Sequence, residues 1–176
     1  MLAANAFMIV FRFFHIVAGV LWVGSAFLFV AVIGPSAAEV GPAAGPLLTV
    51  AVRKRKVVQL ISGLGGVTVL AGWIMWIHNI SVYGGFKNWT TSHFGIGITI
   101  GAILATIALI EGTLMVGRNV ERMVDLGGEV AAAGGPPTPE QQQRMATIQH
   151  HLELHGKIDL VLLIVAVTCM ATARYW

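Results

Sequence analysis

An all-α fold, a bundle of four transmembrane helices, is what this sequence predicts, and three observations predict it. Hydrophobic residues make up 56% of the chain and charged residues only 11%, where a soluble domain carries about a quarter charged residues. Four apolar stretches approach the ~20 residues needed to cross ~30 Å of hydrocarbon. The basic residues gather between those stretches. The mean hydropathy of +0.80 agrees, and the 21 glycines and six prolines sit more comfortably in membrane helices than in soluble ones.

The single membrane domain covers all 176 residues. The first span is read over about 7–33, ending at Gly34-Pro35. The second covers about 57–80, the third about 93–117, and the fourth about 158–173, with Lys157 and Arg174 as snorkelling ends. The start of the chain has no basic n-region, and its apolar run continues into a full span, so no cleavable signal is expected. Gly97-x-x-x-Gly101 in the third span, and Gly63 and Gly66 in the second, would let helix backbones approach closely. The connection 118–156 is read as a loop whose second part is helical. There Thr138 is the N-cap, Pro139 the first helical position and Gln141 the capping-box partner, and the helix runs on into the fourth span.

Orientation follows from charge. Arg53, Lys54, Arg55 and Lys56 precede the second span, while Arg118 and Arg122 follow the third. Both connections are therefore cytoplasmic and both termini lie outside. A bacterial inner membrane is the expected location and the lipid bilayer the first partner. The net charge of +3, collected at helix ends, gives no surface for nucleic acid. Cys169 is the only cysteine, which excludes an intrachain disulfide, a thiolate zinc cage and a cysteine-held iron–sulfur cluster. No nucleophile elbow or phosphate-binding loop is present.

What remains is histidine. An ionisable group inside a span is costly and is a functional candidate by default. The stretch FRFFHIVAGVLWVG places His15 about a turn inside the first span. This topology brings His78, at the end of the second span, and His93, at the start of the third, to the same membrane level. Imidazoles on facing helices can clamp a haem iron. His15, Gly19, Trp22 and Ala26 share one helical face, where the glycine would leave room for a macrocycle edge. Arg12 would pair with a propionate. The same histidines could instead hold copper, aided by the thioethers of Met8 and Met75. Near the other end, QHHLELHGKID carries His150, His151, Glu153, His155, Lys157 and Asp159. His151 and His155, four apart, could share a metal. Glu111 lies toward the same end and needs a partner such as Lys157 or His155.

The stretch F-H-I-V-A-G-V-L-W-V-G resembles the first helix of a broad group of small bacterial four-helix membrane proteins. The group includes the copper-resistance D family, the membrane part of some urate-oxidising proteins, and HemJ-type protoporphyrinogen oxidases. GGPPTPEQQQRM, R-N-V-E-R-M and IDLVLLIVAVTCMATARYW are similar to an uncharacterised family of predicted integral membrane proteins. The HemJ-like resemblance implies haem b with His15 as the first-helix ligand. It also implies a functional lysine in a later span, yet neither the second nor the third span has one. The copper-resistance resemblance implies His15 with Met8 and Met75. The reading that follows is a haem-b membrane protein in electron transfer, acting as a homo-oligomer or with a larger redox complex. A copper-handling protein and a cofactor-free structural subunit are the alternatives.

Overall fold

The computed structural model describes residues 2–175, with side chains from residue 6 onward. The described residues contain four helical stretches long and apolar enough to cross a membrane: Ala6–Lys54, Val57–Val82, His93–Ala133 and Pro139–Tyr175. They form an antiparallel up-down bundle, and no strand occurs among the described residues.

The first stretch begins with α1 (Leu2–Leu28), followed by a π-helical turn (Phe29–Ile33), α2 (Gly34–Val40), a 3-10 turn, α3 (Gly45–Thr49) and a second π turn (Val50–Lys54). Gly34-Pro35 was expected to end the span, but the helix continues through it. The Gly34 N–H bonds back to the Phe29 carbonyl, the wider π register, and Pro35 then occupies an early position of α2, where its missing N–H costs little. The bend comes later, at Gly41 with φ +65. Lys56, left-handed at φ +51, reverses the chain into α4 (Val57–Val82).

A short helix, α5 (Phe86–Thr91), leads into α6 (His93–Glu111), a π turn (Gly112–Gly117) and α7 (Arg118–Ala133). Ser92 caps α6 by accepting the Gly95 N–H. Gly95 is required there: a Cβ would lie 1.8 Å from the Trp89 carbonyl oxygen. Residues 118–133, read from sequence as loop, form a helix because its apolar side packs on the last helix, burying Val124 and Leu126. That last helix is α8 (Pro139–Thr172), opened by the expected capping box. The Gln141 N–H donates to Thr138 Oγ1 at 3.2 Å and the Thr138 N–H to Gln141 Oε1 at 2.9 Å. Thr138→Ala should cost about 1 kcal/mol, read as a lowered midpoint in thermal unfolding of the detergent-solubilised protein.

The bundle is built as two tight pairs, α1 with α4 and α6 with α8, joined chiefly along α4–α6. Trp22, Ala26, Ala108 and Leu163 make the central cluster. Two indoles bind the pairs together: the Nε1–H of Trp73 donates to Thr106 Oγ1 at 3.0 Å and that of Trp76 to Thr99 Oγ1 at 2.8 Å. In hydrocarbon such cross-helix bonds hold packing that burial alone does not drive. Trp89, fully buried, stacks edge-on to Trp76 and Phe94 and closes the α4–α6 connection.

The close approaches are selective. Gly97 meets Ala173 of the final turn, and Gly101 meets Met170 and Ala166 on α8, as the small-residue spacing predicted. Gly63 and Gly66 meet nothing; the glycine pressed against a neighbour is Gly65, under Trp22. The reason is rotational phase: Gly65 is on the face of α4 turned to α1. The outward faces carry large exposed apolar side chains, among them Ile9, Phe13, Val20, Leu70 and Val161, as lipid-facing helices do.

Candidate functional site

His15 sits in the α1–α4 seam. α1 turns one narrow face inward, with Ala18, Trp22 and Ala26 buried on it, and the ring of His15 reaches across at the outer part of that face. Its Nδ1–H donates to the backbone carbonyl of Thr68 at 2.8 Å. A carbonyl only accepts, so Nδ1 carries a proton in this contact, and in the neutral ring the lone pair is then on Nε2. The carbonyl can take this second bond because an sp² oxygen has two lone pairs. The ring comes this close because of Gly72: a Cβ there would lie 3.0 Å from Cε1 and 3.1 Å from Nδ1. A metal-ligating histidine usually has its other nitrogen fixed in this manner.

The rest of the expected face is filled. A Cβ on Gly19 would already touch Thr68 Cγ2 at 3.3 Å, and Trp22 lies against Gly65. Gly19 therefore admits α4 and leaves no room for a macrocycle edge. His78 is half-buried on the same seam, its ring 4.9 Å from that of Phe7. Six residues separate it from Gly72, which is about 9 Å along the helix axis. His15 and His78 share a seam without sharing a level. His93 is exposed at the start of α6, and α1 meets α6 further along, where Trp22 and Ala26 pack with Ala108. Arg12 is exposed one turn from His15, while Met8 and Met75 are half-buried.

A second polar group occupies the α6–α8 seam toward the opposite end. The His155 Nδ1–H donates to Glu111 Oε1 at 2.6 Å, so of the two partners expected for Glu111 the structure supplies His155, and Lys157 is exposed. Asp159, one turn beyond His155, is only 6% exposed. Its carboxylate lies against Gly112: a Cβ there would be 3.2 Å and 3.3 Å from the two oxygens. Glu111 is close enough to act on it electrostatically. Neither Glu111 Oε2 nor Asp159 Oδ1 has a hydrogen-bond partner, although both are buried.

Sequence reasoning named Asp159 only as a member of a polar stretch. The signal that could have found it is its place four residues after His155 and inside an apolar run, which puts both on one face of α8. His151 stacks on His155 with centroids 5.9 Å apart, and His150 is exposed. Among the described residues no three His, Cys, Asp or Glu side chains are grouped as a metal site. His155 is hydrogen-bonded to Glu111, with His151 stacked on it. No family model, curated protein or solved structure matches this chain.

Proposed function

We propose that this chain is a haem-b-binding electron-transfer protein of a bacterial inner membrane, with His15 as an axial ligand. The observation that carries this reading is the His15 ring itself. It is an intramembrane imidazole held by a backbone carbonyl and seated on a glycine notch, and with Nδ1 as donor the neutral ring has Nε2 as its ligating nitrogen. A buried ionisable group is retained at a cost, and a fixed tautomer is what a ligand needs and what packing does not. Bound haem b would supply reversible one-electron transfer.

The fit is uneven along the helix, and the unevenness sharpens the assignment. With the notch at Gly19 filled by Thr68, Nε2 of His15 is the atom that would hold a haem iron. The second ligand stays open between His78, on the same seam but about 9 Å along α4 from Gly72, and His93, exposed at the start of α6. Arg12, exposed one turn toward the terminal end, is suited to a propionate. The basic connection at 53–56 argues that this end faces outside, so electrons would pass near the outer membrane face. The partner there would be a second copy or a larger redox complex.

An absorption spectrum of the detergent-purified protein, oxidised and dithionite-reduced, with metal analysis on the same sample, tests the reading. A Soret band with sharp reduced α and β bands is expected. A featureless spectrum after growth with haem precursor and haem titration would overturn it, and stoichiometric copper in that sample would replace haem by the copper reading through His15, Met8 and Met75.

A further inference from the structure

We propose that Glu111, His155 and Asp159 form a proton-binding site at the basic end of the α6–α8 seam, in which one proton is held between the Asp159 and Glu111 carboxylates and His155 exchanges it with water. The site is independent of His15 and of any cofactor.

Four observations carry it. Asp159 is 6% exposed and its Oδ1 has no partner; Glu111 Oε2 is likewise buried and unpartnered. An ionised carboxylate oxygen without a donor is among the most costly groups a protein can bury. Second, Asp159 packs on Gly112, the residue after Glu111, near enough for the Glu111 carboxylate to act on it electrostatically. One proton between them would supply the missing donor to one oxygen and remove the like-charge repulsion, as in other close carboxylate pairs. Third, the backbone of α6 changes to a π turn at Gly112, a local distortion that often accompanies functional sites. Fourth, His155 is tied to Glu111 at 2.6 Å and is only partly buried, so it joins the pair to the solvated end of α8.

Among the described residues the contacts around the pair bring no other counter-charge. From α6 the titratable neighbour is Glu111, and from α8 it is His155 with His151 stacked behind. On the first stretch the contact nearby is Val30 against Gly156. From α4 comes Ser62, which accepts from Thr113 Oγ1 at 3.3 Å and does not titrate in this range. Exchange balances simply. Starting from the pair without its proton, a hydronium ion delivers a proton to His155 Nε2 and leaves as water, while the Nδ1 proton passes to Glu111 Oε1. The imidazole stays neutral in its other tautomer and Glu111 becomes the acid.

Infrared difference spectroscopy of the full chain in phospholipid vesicles tests the proposal. At neutral pH the wild type should show the carbonyl stretch of a protonated carboxylic acid that shifts in D2O. Asp159→Asn and Glu111→Gln should each abolish or displace it. His155→Gln should keep the band and slow its deuterium shift by roughly 100-fold, the low end of what a positioned proton-transfer group contributes. Absence of the band from wild type overturns the site, whatever the variants do. A band indifferent to both carboxylate substitutions also overturns it, and unchanged exchange in His155→Gln removes His155 from the pathway.

Discussion

His15→Ala should yield a membrane-inserted bundle that has lost its cofactor. The expected result is disappearance of the Soret band with unchanged helical circular dichroism. The bundle should survive because its centre lies further along α1, at Trp22 and Ala26 packed with Ala108 and Leu163. His15 is only half-buried and its one hydrogen bond goes to a carbonyl already engaged in α4. Losing it forfeits about 1 kcal/mol, small beside the packing of the core. Companion variants separate ligation from packing. Of His78→Ala and His93→Ala, the one that removes the second ligand should retain haem while the spectrum changes from six-coordinate to five-coordinate. Gly72→Val should crowd the ring from below, since even a Cβ would lie 3.0 Å from Cε1, and weaken cofactor binding about 10–100-fold, as the loss of an outer-shell partner does. Full cofactor occupancy in His15→Ala would sink the ligand assignment.

Gly65→Ala and Gly66→Ala, neighbours on one helix, should behave oppositely. A Cβ on Gly65 would lie 2.7 Å from Trp22 Cε2, 3.1 Å from Cδ2 and 2.8 Å from Leu109 Cδ1. Trp22 is 5% exposed and its ring has nowhere to turn, so α1 and α4 must separate. The cost should be about 1–3 kcal/mol, the range for overpacking. A Cβ on Gly66 meets nothing within 4 Å. That substitution should be neutral or stabilising by up to about 1 kcal/mol through helix propensity. Thermal unfolding of both variants in one detergent gives the comparison. Equal midpoints would mean that α1 and α4 do not pack in this register.

The spans were legible because hydrocarbon imposes a length and a polarity that composition must satisfy. Val57–Val82 and the stretch from His93 through Gly117 lie where apolar runs and basic flanks put them. The capping box at Thr138 was legible too, since it depends on residues three apart. The passage through Gly34-Pro35 was not, because a π turn is chosen by the register of hydrogen bonds and leaves no mark on residue type.

Histidine 15 could be picked out as an ionisable group in an apolar run, and the face it shares with Trp22 and Ala26 could be read from helical spacing. What that face touches could not. Whether Gly19 opens space or admits Thr68, and whether Gly63, Gly65 or Gly66 meets α1, depends on the rotation of α4 about its axis. Sequence periodicity fixes that rotation weakly when a helix is apolar all round. The pairing of Glu111 with His155, 44 residues apart, and the placement of Asp159 against Gly112 depend in the same way on how α8 slides along α6. The sequence by itself determined an integral membrane protein of four apolar helices. Only the tertiary structure decided which polar atoms inside it meet, because in lipid those meetings follow from close packing and interhelical hydrogen bonds, which act over a few ångströms.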